Sequence, residues 1–146
     1  MGPIMIVDDD TPLREMYAEY LTGVGYQVIK AKGGREAIEL ALHGQPTPGL
    51  VLLDIMMEDL NGIEVLKQLR AQTSMQNVPI LMITALIQEL EAQAAHLAGA
   101  NGYLVKSATA LPKLKQIIES WKKFIDSGGQ LVAATANPLP ASPPQG

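Results

Sequence analysis

The sequence has no cysteine, which excludes a disulfide framework and any thiolate metal centre. Aromatic residues are scarce, with one Phe, one Trp and four Tyr. Hydrophobic residues still make up 47% of the 146 positions, so a core has to be assembled from Leu, Ile, Val, Ala and Met. Positive charge is not in excess. The formal net charge is −4, which argues against sequence-independent binding to nucleic acid, since that rests on a basic surface. No apolar run approaches the roughly 18 residues a membrane helix needs. Met1 to Val7 lacks the basic start and long apolar stretch of a signal peptide. The expectation is a soluble, cytoplasmic protein of one domain and a tail, with no membrane partner and no direct nucleic-acid partner.

What is present is a regular alternation. Ile4–Val7 is a short apolar run that stops at Asp8, Asp9 and Asp10, and it reads as a buried strand. Thr11 and Pro12 look like a helix start, a capping hydroxyl followed by proline at the first helical position. Leu13, Met16, Tyr17, Tyr20 and Leu21 then follow at helical spacing, until Gly23 and Gly25. Residues 27–31 read as a second strand, and Ala37, Ile38, Ala41 and Leu42 mark a second helix. Leu50 to Leu53 is a continuous apolar run ending at Asp54, typical of a strand covered on both faces. Ile63, Leu66 and Leu69 define a third helix. Residues 78–83 form a fourth strand ending at Thr84, and residues 87–98 a fourth helix. Residues 103–105 form a fifth strand ending at Lys106, and residues 111–125 a last helix. Five strands alternating with five helices predict an α/β, doubly wound parallel sheet with helices on both faces.

In such sheets ligands bind at the carboxyl ends of the strands. The residues just after each apolar run are Asp8 and Asp9, Asp54, Thr84 and Lys106. The topology therefore puts three carboxylates, a hydroxyl and an ammonium on one rim. Three close carboxylates repel, so one takes a proton or a cation joins them. An all-oxygen site with few protein ligands suits Mg²⁺, which keeps waters and favours phosphate as a co-ligand. With the repulsion cancelled, one carboxylate can act as a nucleophile, and the lysine and hydroxyl can hold phosphoryl oxygens. The chemistry this predicts is phosphoryl transfer onto Asp54.

Four blocks in order carry a resemblance. Ile6-Val7-Asp8-Asp9-Asp10, Asp54-Ile55-Met56-Met57 with Asn61-Gly62, Ile83-Thr84-Ala85, and Gly102-Tyr103-Leu104-Val105-Lys106 resemble the receiver domain of bacterial two-component response regulators. The likeness runs over about residues 4 to 125. It implies a flavodoxin-like sheet with strand order 2-1-3-4-5. It also implies that Asp54 accepts a phosphoryl group from a sensor histidine kinase or phosphotransfer protein. Asp9, Asp54 and the backbone carbonyl of Met56 would bind Mg²⁺, with Asp8 acting through a water. Lys106 would contact the acceptor and then the phosphoryl oxygens. Thr84 would move toward the phosphoryl group, and Tyr103 would swing inward with it. The face of the fourth helix, fifth strand and fifth helix would report the state to a downstream protein target.

Three positions depart from the family pattern. Glu58 stands where proline is usual, Ser107 where a proline, often cis, follows the lysine, and Asn61 where aspartate is common. A serine favours a trans bond, because a non-proline cis peptide costs about 2.5–4 kcal/mol. The departures motivate an alternative, a degenerate receiver that acts as a phosphorylation-independent interaction module. A phosphatase with an aspartyl nucleophile needs a second aspartate two residues on, where this chain has Met56, so the expectation is not an enzyme. Asp10 reads as a cap or turn-former, His43 and His96 as structural or solvated, and the seven methionines as core filler. The lysines of the last helix read as a solvated face, and a homodimer through the last two helices stays open. The domain is expected to span 1–126. Residues 127–146, with four prolines and no charge, read as a tail or linker.

Overall fold

The computed structural model describes residues 1–131. Its strands are β1 (Ile4–Val7), β2 (Val28–Ala31), β3 (Leu50–Asp54), β4 (Ile80–Thr84) and β5 (Gly102–Val105). Between and after them run the helices α1 (Thr11–Gly23), α2 (Gly34–His43), α3 (Gly62–Arg70), α4 (Glu89–Leu97) and α5 (Leu111–Asp126). The five strands make one parallel sheet in the order β2-β1-β3-β4-β5, as expected. Element ends differ from the sequence reading by one or two residues, the usual fraying of termini.

The apolar runs split by parity. Ile4, Ile6, Leu50, Leu52, Leu81 and Ile83 face α1 and α5, where they meet Tyr17, Leu21, Leu114, Ile118 and Trp121. Met5, Val7, Val51, Leu53, Ile80 and Met82 face the other way, onto Ala37, Val65, Leu66, Leu69 and Ala95 of α2, α3 and α4. Both faces are covered, which is why the runs show no alternation in sequence. Each fully buried Leu or Ile stabilises the fold by about 1.5–3 kcal/mol relative to exposure.

Some local readings are corrected. The N-cap of α1 is Asp10, whose Oδ1 accepts from the Leu13 amide at 3.2 Å; Thr11 is already helical. A carboxylate reaches this amide from an extended residue, which a helical Thr11 cannot do. Met5, Met75 and Met82 are core residues, but Met16 and Met56 are exposed. The α4 helix buries only Ala95, and leaves Leu90 and Leu97 in solvent, 82% and 65% exposed. No helix among the described residues is long and apolar enough to cross a membrane.

The chain just after α5 turns back on the domain. The Leu131 amide donates to Asn77 Oδ1 at 2.8 Å, and Asn77 Nδ2 donates to the Gly129 carbonyl at 3.4 Å. The rest of the tail, residues 132–146, lies outside the described residues.

The amino ends of β4 and β5 are joined by Arg70. Its guanidinium donates to the carbonyls of Gly99 (2.9 Å), Met75 (2.7 Å) and Val78 (2.8 Å). It also donates to Asn101 Oδ1 at 2.5 Å, and that oxygen accepts from the Ile80 amide as well.

Candidate functional site

The rim predicted from strand ends exists. Parallel pairing with Val7 beside Leu53 and Asp54 beside Ile83 brings the ends of β1, β3 and β4 level. Oxygens of Asp8, Asp9 and Asp54 all lie within 4.8 Å of one another. Asp8 and Asp54 are buried, whereas Asp9 is exposed. Lys106, arriving from β5, places Nζ 3.0 Å from Asp8 Oδ2 and 3.5 Å from Asp54 Oδ1. The lysine thus leans on Asp8 more closely than on the expected acceptor. Asp8 is held further by the Asp10 amide, which donates to its Oδ1 at 2.9 Å, and Arg14 Nη1 donates to its carbonyl at 2.9 Å.

The electrostatics are unresolved by the protein alone. Burial and then the Asp8 charge push the Asp54 carboxyl up to about 6, and Lys106 offsets this only in part. Lys106 is itself held above the usual lysine range: burial lowers it, but the bond to Asp8 and the charges of Asp54 and Asp8 together outweigh that. One cation facing two buried acids and a third nearby leaves negative charge uncompensated. The donor set is all oxygen and one member opens to solvent, which fits a hard divalent cation with retained waters.

The Lys106 loop takes its own path. Residues Lys106–Ala108 form a short 3₁₀ turn. Among the described residues the cis peptide joins Gln45 and Pro46, so Lys106–Ser107 is trans. The lysine reaches the acids without the proline.

The loop after β3 (residues 55–61) is fastened at several points. Gly62 N–H donates to the Ile55 carbonyl at 2.7 Å, and a Cβ at Gly62 would collide with the Asp54 carbonyl oxygen. Asn61 Oδ1 caps α3 through the Ile63 amide at 2.8 Å. The Glu58 amide donates to Asp9 Oδ2 at 2.9 Å. Asp59 caps the next helix over: its Oδ1 accepts from the Gly34 amide and its Oδ2 from the Arg35 amide, each at 3.0 Å. These amides hold the Asp59 carboxyl below the usual carboxylate range. Sequence reasoning missed Asp59. The available signal was Gly33, which precedes α2 and has no side chain to cap it, so the cap had to come from elsewhere.

Thr84 is buried, and its hydroxyl donates to the Leu86 carbonyl at 3.3 Å. The Tyr103 hydroxyl lies over the same loop. It accepts from the Gln88 amide at 3.4 Å and sits 3.3 Å from both the Leu86 carbonyl and Glu91 Oε1. The two expected switch residues therefore share one acceptor. Around it Leu86 and Ile87 are 64% and 72% exposed.

A domain of this topology with this rim is a signalling receiver in class, and comparison with known proteins agrees. The family model of the response regulator receiver domain matches residues 4–135. The chain belongs to that family, the receiver domain of two-component response regulators. The Bacillus subtilis protein YrkP, an uncharacterized transcriptional regulatory protein, is 38% identical over 103 residues, covering 70% of this chain and 42% of its own length. Response regulator MprA of Mycolicibacterium vanbaalenii is 34% identical over 146 residues, covering 96% of this chain and 60% of its own length. The chain spans about 40–60% of the length of these relatives. The chemotaxis protein CheY4 of Vibrio cholerae superposes with a TM-score of 0.75 at 30% identity, covering 82% of this chain and 97% of that one.

Proposed function

We propose that this domain is a phosphoryl-accepting switch with Asp54 as the acceptor. One observation carries the reading: Asp54 is buried beside Asp8 and only partly compensated by Lys106, so its carboxyl titrates at about 6. At neutral pH it is an ionised, poorly solvated nucleophile. An Asp54 oxygen attacks the phosphorus of a phosphohistidine on a sensor kinase or phosphotransfer protein. The P–N bond breaks, and the histidine nitrogen keeps the electron pair. Lys106 is placed to take a phosphoryl oxygen as the charge on Asp54 is converted to an acyl phosphate. Asp9, Asp54 and the Met56 carbonyl would hold Mg²⁺, with Asp8 acting through a water, because Asp8 is already committed to Lys106 and the Asp10 amide. When bound, that ion supplies charge neutralisation between the carboxylates and the incoming phosphoryl oxygens.

Readout follows from the shared acceptor. If Thr84 turns its hydroxyl to the phosphoryl group, the Leu86 carbonyl is left to Tyr103 alone. Tyr103 then closes on the β4–α4 loop, beside the exposed Leu86, Ile87 and Leu90 that a downstream protein can cover. The domain turns over no external substrate in this reading, since Met56 stands where a phosphatase needs its general acid. The alternative, a phosphorylation-independent interaction module, predicts weak or absent Mg²⁺ binding and no response to beryllofluoride in the wild type.

Beryllofluoride with Mg²⁺ should shift the amides of Asp54, Thr84, Tyr103 and Lys106, and Asp54→Asn should abolish both the shifts and labelling by a small phosphodonor. Labelling that survives Asp54→Asn would remove Asp54 as the acceptor.

A further inference from the structure

The β3–α3 loop touches the cation-binding acids from a direction the family pattern does not provide. Proline, usual at position 58, has no N–H to donate. Glu58 does, and its amide sits 2.9 Å from Asp9 Oδ2. Asp9 is the exposed member of the acidic set, on the wall of a cleft of about 330 Å³ bounded also by Lys32, Arg35 and Glu58. A carboxylate so placed turns freely about two single bonds unless something holds one oxygen. The Glu58 amide holds Oδ2, and an oxygen of the same carboxylate lies within 4.8 Å of oxygens of Asp8 and Asp54.

The amide itself is held by its neighbour. Asp59 bonds the Gly34 and Arg35 amides at the start of α2, 25 and 24 residues away. The fit is tight: a Cβ on Gly33 would stand 2.9 Å from Asp59 Oδ1, and one on Gly34 would stand 2.6 Å from Val65 Cγ2. The loop cannot shift away from Asp9 without uncapping α2.

We propose that Asp59 is a positioning residue for the cation site, clamping the loop to α2 so that the Glu58 amide keeps Asp9 oriented as a ligand. This rests on the reading of Asp9 as a Mg²⁺ ligand given above. Metal-binding carboxylates are commonly oriented by a second hydrogen bond, and losing such a partner costs about 10–100-fold in metal affinity. Here the partner is a main-chain amide, and a second carboxylate holds it from behind.

Mg²⁺ titrations of the metal-free protein, followed by backbone amide shifts, test the clamp. Asp59→Ala should weaken Mg²⁺ binding roughly tenfold or more and move the Gly34, Arg35 and Glu58 amides before any metal is added. Asp59→Asn, which keeps one acceptor oxygen, should fall between wild type and Asp59→Ala. Glu58→Pro should weaken Mg²⁺ similarly while the Gly34 and Arg35 amides stay in place. Glu58→Gln keeps the amide and removes the charge. If it weakens Mg²⁺ as much as Glu58→Pro does, the charge is responsible and the inference is overturned. Unchanged Mg²⁺ affinity in either Asp59→Ala or Glu58→Pro overturns it too, leaving the cation site itself standing. A wild type with no saturable Mg²⁺ binding overturns the cation site and the clamp together.

Discussion

At the amino ends of β4 and β5, one guanidinium serves four oxygens, none of them a carboxylate. At the carboxyl ends of β1, β3 and β5, one ammonium serves two buried carboxylates with a third alongside. Burial lowers Arg70 to about 10, so it keeps its proton at any ordinary pH and its hydrogen bonds are permanent. Burial raises Asp54 to about 6, so it is charged at neutral pH and loses that charge within about one pH unit below it. The first end is closed electrostatically by geometry within the chain. The second keeps uncompensated negative charge, which is where the proposed cation and phosphoryl group would bind. A switch needs both, a fixed base against which strands are held and a rim whose charge can change.

The largest expected effect breaks the fixed end. Arg70→Ala strands several acceptors between α3, β4 and β5, and should cost about 3 kcal/mol in urea denaturation. Folded Arg70→Ala protein should still be labelled at Asp54; loss of labelling without unfolding would tie the two ends together. The next effect has the opposite sign. Native Asp54 binds its proton more tightly than the unfolded chain does, so metal-free stability falls as pH rises from 3.8 to about 6. Asp54→Asn removes that ionisation. It should flatten this part of the pH–stability curve and stabilise the metal-free protein above pH 6 by about 1–3 kcal/mol, while abolishing phosphorylation.

A third expectation sharpens the open end. Under the proposed function Mg²⁺ would need Asp54 ionised, so apparent affinity should level off above about pH 6 and fall by roughly tenfold per pH unit below it. Titrations at several pH values check this, and a flat profile would remove Asp54 from the ligand set. The smallest effect concerns an acid that sits at the rim without belonging to the set. Asp10→Ala loses the α1 cap and should cost about 1 kcal/mol, with labelling of Asp54 retained.

Most of the fold and most of the rim were legible beforehand, because parallel strands are short apolar runs and ligand sites collect where they end. Asp8, Asp9, Asp54, Thr84 and Lys106 were found that way. Arg70 was invisible, since a basic residue at the end of a helix reads as solvated. Asp59 was overlooked because its partners are the amides of Gly34 and Arg35; Gly33 signals that the α2 cap comes from elsewhere, but not which residue supplies it. The leaning of Lys106 toward Asp8, and the sharing of the Leu86 carbonyl by Thr84 and Tyr103, were out of reach because they rest on distances set by packing.

By itself, then, the sequence determined the α/β alternation, the two-sided burial of the strands and the identity of the rim residues. These follow from local hydrophobicity and chain connectivity. The tertiary structure alone decided which carboxylate the lysine favours, that Thr84 and Tyr103 share the Leu86 carbonyl, and that a loop amide reaches Asp9. Those depend on distances of a few ångströms between segments dozens of residues apart, set only when the helices pack on the sheet.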